Sequence, residues 1–192
     1  MAITIGKKPE HDFTNPLGLL SDCHRRIEYF LSLLITISKQ AQGGSLSLEQ
    51  REALEAALAY FKQAAPKHTL DEEESLFPRL RACRNLQAQA ALSMLEVLQA
   101  DHQVADQMHQ QVESLTRQWL IEGKLSAMQS QQLTTTLDEL ADIYQRHITV
   151  EDQQIFPLAG TLLEKPELEI VGREMAARRG LDLDVLLKKL AD

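Results

Sequence analysis

The chain has 192 residues and a formal charge of −8, with 44% hydrophobic but only 5% aromatic residues. That length suits one domain with a substantial core, and the acidic balance excludes nucleic acid as a general partner, since phosphate binding needs a basic face. The first ten residues lack the apolar stretch of a signal peptide, and no run approaches the roughly eighteen uninterrupted apolar residues of a membrane span, so the expected location is cytoplasmic, with no membrane partner.

Residues 1–14 show no periodicity and read as an N-terminal arm containing His11. Asn15-Pro16 is a helix-start signal, a capping side chain followed by proline in the first turn. From there Leu19, Leu20, His24, Ile27, Leu31 and Leu34 keep helical spacing until Gly43-Gly44. Ser47 opens a second helix through Leu54, Leu58 and Phe61, which Pro66 should bend without ending, because the pattern resumes through His68 and Glu72 to Pro78. Arg79 to Gln87 reads as a connection. A long third helix runs from about Leu86 to Ile121 with His102 beside its apolar face and Gly123 as its stop, and Ser126 caps a fourth carrying Leu133, Leu137, Leu140, Tyr144, His147 and Glu151 in one stripe, closed by Pro157 and Gly160.

A further helix from Glu167 to Arg179, opened by Lys165-Pro166 and stopped by Gly180, and a short last one over Leu181 to Leu190 complete the chain. The expected fold is all-α: an up-down-up-down four-helix bundle over residues 15–160, with residues 161–192 forming a C-terminal helical extension packed on it. Cys23 and Cys83 are the only cysteines, and a distant pair in a reducing compartment is expected as two thiols.

One stretch occurs twice. His68-Thr69-Leu70-Asp71-Glu72-Glu73-Glu74-Ser75-Leu76-Phe77-Pro78 is matched by His147-Ile148-Thr149-Val150-Glu151-Asp152-Gln153-Gln154-Ile155-Phe156-Pro157, and 147 − 68, 151 − 72 and 157 − 78 all equal 79. His24 and His102 keep nearly that offset, since 102 − 24 = 78. Each half is thus a His-bearing helix followed by a His-x-x-x-Glu helix. Residues four apart on a helix share a face about 6 Å apart along its axis, so imidazole and carboxylate can aim at one point. Two such helices and two single-His helices would gather four imidazoles and two carboxylates at one level of a bundle.

A lone histidine on an apolar helix face is usually a core residue hydrogen-bonded to a neighbour. Four at a fixed offset, with their glutamates, point instead to metal. Imidazole with carboxylate suits iron, manganese or zinc, and His24, His68, Glu72, His102, His147 and Glu151 suffice for two metals bridged by both glutamates.

The order His, His-x-x-x-Glu ending Leu-Phe-Pro, His, His-x-x-x-Glu ending Phe-Pro resembles the hemerythrin-like (HHE cation-binding) family from about residue 16 to 158. The resemblance implies a four-helix bundle holding two non-haem irons with a bridging oxo or hydroxo group, zinc or manganese being possible substitutes, and a small diatomic ligand, oxygen or nitric oxide. The oxygen-carrying hemerythrins have a fifth histidine on the third helix, whereas Asp106 stands four after His102 here. The symmetric set is closer to the branch that includes bacterial di-iron proteins of iron-sulfur cluster repair, whose larger members carry an N-terminal cysteine-bearing domain not found in this sequence. Three functions follow as alternatives: a di-iron protein that binds or senses the diatomic ligand, a di-iron enzyme or iron donor in oxidative or nitrosative stress, and a metal-free helical interaction module.

Around the six residues, Glu28 and Asp106 stand four after His24 and His102 and are either acceptors for imidazole N–H groups or solvated helix residues. Tyr144 either reaches a ligand at the metals or is a core residue with its hydroxyl on a polar partner. Glu73 and Glu74 read as a solvated face. His109, whose repeat counterpart is Leu31, is not required by a symmetric site. Cys23 points about 100° away from His24, and the basic residues Arg173, Arg178 and Arg179 read as a solvated face.

Overall fold

A computed structural model describes residues 9–191. Among them there is no strand, and no helix is long and apolar enough to cross a membrane. The first bundle helix is α1 (Pro16–Ala41), capped by the Asn15 side chain on the Gly18 amide and ended at Gln42 and Gly43, both with positive φ. The second is a composite of α2 (Leu48–Gln63), α3 (Ala65–Leu70), a π-helical segment π1 (Asp71–Leu76) and α4 (Phe77–Ala82). The third is α5 (Leu86–Glu122), and the fourth is α6 (Ala127–Val150) continued by π2 (Glu151–Ile155) and α7 (Phe156–Leu162). Ser47 with Gln50, and Ser126 with Gln129, form capping boxes that fix the starts of α2 and α6.

Neighbours pack in the cyclic order α1, α2, α5, α6 and back to α1, which is the up-down-up-down bundle. Two buried apolar clusters lie along its axis. One holds Ile27, Leu34, Leu54, Leu58, Trp119, Leu137 and Leu140, and the other Leu20, Leu76, Phe77, Leu95, Leu98, Ile155 and Phe156. Every bundle helix passes from one cluster to the other at the level of a site residue: α1 between Leu20 and Ile27, α5 between Leu98 and Ala105, and the remaining two between Tyr60 and Leu76 and between Leu140 and Ile155.

Both repeat copies run past their prolines, contrary to the expectation that Pro78 is followed by a connection and that Pro157 and Gly160 close the fourth helix. A proline in a regular α-helix lacks its N–H and collides with the carbonyl four residues back. Here the preceding turn is widened, and the Phe77 amide donates to the Glu72 carbonyl and the Phe156 amide to the Glu151 carbonyl, five residues back. The proline is accommodated and helix resumes to Ala82 and Leu162, leaving a connection over residues 83–85.

Beyond the bundle, α8 (Lys165–Arg178) ends before Gly180, whose φ is +72°, and α9 (Leu183–Ala191) follows. Helix α8 lies against π1 and α1. Gly172 is required where it stands, because a Cβ there would overlap the Phe13 carbonyl oxygen of the N-terminal segment. Of the expected arm, residues 1–8 lie outside the described residues, while His11 takes the buried Asp22 carboxylate through its backbone amide at 2.7 Å.

Candidate metal centre

The four imidazoles and two carboxylates anticipated from the repeat meet between the apolar clusters. Five of the six residues are buried, Glu72 and Glu151 completely, and the His102 side chain keeps 10% of its surface. His24 Nε2 lies 3.1 Å from Glu151 Oε2 and 3.7 Å from Glu72 Oε1; His68 Nε2 is 3.1 Å from Glu72 Oε1. On the other side His102 Nε2 is 3.4 Å from Glu72 Oε2, His147 Nε2 is 3.1 Å from Glu151 Oε2, and the two Nε2 atoms are 3.1 Å apart. The atoms sort into two groups, His24, His68, Glu72 and Glu151, and Glu72, His102, His147 and Glu151, each with its donor atoms within 4.8 Å of one another. Both glutamates belong to both groups.

Whether a cation fits is answered by what these atoms lack. Both carboxylate oxygens of Glu72, both of Glu151 and the Nε2 of His24 are shut off from solvent without a hydrogen-bond partner in the protein. Burying such a group unpartnered costs roughly 2–7 kcal/mol, and more for an ion. The protein polarises the cluster accordingly. Burial alone would raise Glu72, but His68, His102 and His24 hold it well below the usual carboxylate range. Burial would lower His24 and His102, yet Asp152, Glu151 and Glu72 raise His24 well above an ordinary histidine, and Glu72 and Glu73 raise His102 to about 9. Burial holds His68 down at about 4. Glu72 is held as an anion that draws positive charge from the imidazoles around it, so a divalent cation suits the place.

The imidazoles are steered from outside by two acids, one of which, Glu73, was expected on a solvated face. Asp152 Oδ1 stands 3.0 Å from His24 Nδ1, and Glu73 Oε1 stands 2.8 Å from His102 Nδ1. These contacts fix which ring nitrogen faces inward. Glu73 is therefore not part of a solvated face, although Glu74 remains exposed. Glu28 is exposed, and Asp106 is exposed and accepts from Gln110 at 2.9 Å, so neither takes the N–H of its neighbouring histidine. The available signal was an acid directly after each repeated glutamate, since 152 − 73 is again 79. Asp101 Oδ2 is 3.6 Å from His147 Nδ1, too long for a hydrogen bond, and the Nδ1 of His68 has no partner.

Arg178 and Arg179, at the end of α8, also depart from a solvated face. Arg178 and Arg179 converge on the fully buried Asp71, at 2.5 and 2.7 Å, Arg178 also donates to Ser75 Oγ at 2.7 Å, and Arg79 grips Glu174 through both of its terminal nitrogens. Helix α8 thereby pins π1, the segment that begins one residue before Glu72. Arg173 alone stays at the surface, reaching Asp184 at 3.3 Å.

A family model for the hemerythrin HHE cation-binding domain matches residues 15–159. The chain belongs to that family. An uncharacterized protein of Haemophilus influenzae is similar over 167 residues at 25% identity, covering 87% of this chain and 91% of that one. The HHE match spans the four bundle helices and stops before α8, so the guanidinium grip on Asp71 comes from outside the matched span.

Cavities lie on two sides of α1. One of ≈ 270 Å³ is lined by all four site histidines together with apolar Ile27, Phe61, Leu70, Ala105 and Ile148, and by His109 and Tyr144, which share a hydrogen bond at 2.9 Å. Tyr144 has the polar partner that was one of its two expected roles, and His109, set aside on symmetry, is that partner. A larger one of ≈ 750 Å³ is lined by Cys23, Arg26, Tyr60 and Lys67 and by residues 9–13. Cys23 faces this second cavity, and both cysteines are free thiols.

Proposed function

We propose that the chain is a di-metal protein in which His24 and His68 hold one ion, His102 and His147 hold the other, and Glu72 and Glu151 bridge them. The observation that carries this reading is that both glutamates fall in both groups of donor atoms, with all four carboxylate oxygens buried and unpartnered. Two non-haem irons are the favoured occupants, with an oxo or hydroxo group completing the bridge, and zinc and manganese are accepted by the same donors. When bound, such a pair supplies Lewis acidity and reversible redox change.

The chain's own residues define what happens around it. The two apolar clusters exclude water above and below, Asp152 and Glu73 hold His24 and His102 in register, and the cavity over the four imidazoles admits something small. A diatomic molecule, oxygen or nitric oxide, fits this role, so the favoured function is binding or sensing of such a ligand. The same reading places the protein in the cytoplasm, where Cys23 and Cys83 are kept as thiols.

Metal analysis of protein produced in iron-rich medium, followed by anaerobic optical and Mössbauer spectra before and after nitric oxide and oxygen, tests this. Two irons per chain with stoichiometric ligand uptake is the expected result. Protein without metal after reconstitution overturns the reading, and sustained consumption of the gas or of peroxide replaces binding by turnover.

A further inference from the structure

The cavity above the histidines is mostly apolar, and His109 and Tyr144 stand out in its wall. Their position is well defined. His109 stacks on Phe61, with ring centroids 4.3 Å apart and planes 28° from parallel, and its Nε2 is 2.9 Å from the Tyr144 hydroxyl. Tyr144 sits three residues before His147 on α6, less than one turn away. Both groups stay neutral: burial holds His109 down at about 4 and pushes Tyr144 above its ordinary range. The pair therefore carries two protons, one on the imidazole and one on the phenol. One of them is used in the bond between the rings.

Which one follows from the tautomer of His109. A second depression of ≈ 180 Å³ is lined by Phe61, Pro66, Asp106 and His109, which also line the inner cavity, and by Lys62 and Gln110. The imidazole stands in the wall between the two. With the ring proton on Nε2 it is donated to the phenol oxygen across the 2.9 Å contact, which leaves the phenol O–H free to turn inward.

We propose that Tyr144, oriented by His109, is the hydrogen-bond donor that this cavity offers to the free end of a small ligand held at the histidine cluster. The class of ligand is a small molecule or anion with a lone pair on its outer atom. Tyr144 touches the ligand, and His109 is a positioning residue. The inference rests on the di-metal reading.

Azide added to the iron-loaded protein is the probe, with metal content measured in every sample. Tyr144→Phe is expected to keep two irons per chain and to bind azide about tenfold more weakly, the loss of one hydrogen bond to a charged acceptor. The azide stretch of the wild type should shift between H2O and D2O, and that shift should vanish in Tyr144→Phe and shrink in His109→Leu. In the zinc-loaded wild type, ¹⁵N spectra should place the His109 proton on Nε2, a measurement that needs no variant. Unchanged azide affinity and an unchanged isotope shift in a metal-replete Tyr144→Phe, or a His109 proton on Nδ1, overturn the proposal and leave the di-metal reading standing. Wild-type protein that takes up no metal removes both.

Discussion

The two halves of the chain are alike at the centre, at the capping boxes of α2 and α6 and at their Phe-Pro ends, and they differ in what surrounds the centre. His24 answers to His102, His68 to His147, Glu72 to Glu151, and even the supporting acids Glu73 and Asp152 correspond. The support is exchanged: the acid of the second half steadies His24 of the first, and the acid of the first steadies His102 of the second. Around the centre the correspondence is partial. Asp71, gripped by two arginines, has Val150 as its counterpart; His109 and Tyr144 have Leu31 and Ala65; and Asp101 has Cys23. The repeat accounts for the six central residues, and the unmatched ones set the halves apart: an anchored first half and a hydrogen-bonding second half.

The strongest test of this pairing removes what the halves share. Glu72→Ala or Glu151→Ala strikes both groups of donor atoms at once, so elemental analysis should fall from two metals per chain to one or none. The metal-induced rise in melting temperature should fall with it, a term of about 2.7 kcal/mol for a site at a hundred times its dissociation constant. Retention of both metals in both variants would contradict the bridging role. Next come changes confined to one half. His68→Ala and His147→Ala should each leave about one metal per chain, at opposite positions, and loss of both from either variant would show that the halves do not bind separately.

Smaller effects should follow from the exchanged support. Glu73→Gln should weaken the ion held by His102 and His147, and Asp152→Asn the ion held by His24 and His68, each by about 10- to 100-fold in a zinc titration. A uniform loss at both positions would argue against the crossed arrangement. The mildest lever is pH. His24 and His102 hold protons well above the ordinary histidine range, His102 up to about 9, because carboxylates surround them. A cation must displace those protons, so binding releases them, and affinity should rise as pH rises toward 9, by about tenfold per unit for each proton displaced. Calorimetry in buffers of different ionisation enthalpy counts them, and uptake of protons on binding would reverse the sign of the argument.

Most helix limits were legible because they are written locally. Asn15-Pro16, Ser47 with Gln50, Ser126 with Gln129, Gly123 and Gly180 each satisfy or free the backbone within a turn. The six polar residues of the centre were legible for a related reason: spacing along a helix decides the face, and repetition ties the faces together. What escaped was set by neighbours. Continuation through Pro78 and Pro157 depends on a widened turn that serves the prolines, and the sequence showed only the prolines. The roles of Glu73 and Asp152 depend on how far adjacent helices are rotated, and those of Arg178 and Arg179 on where α8 comes to rest.

That resting place bears on how the protein can be cut down. A fragment ending at residue 159 would keep every histidine and glutamate of the centre, yet it would strip Asp71 of both counterions. The cut would also take away α8, which packs on π1, so the turn that carries Asp71 and the adjoining Glu72 would lose its anchor. Such a fragment should melt at a lower temperature than one that reaches Arg179.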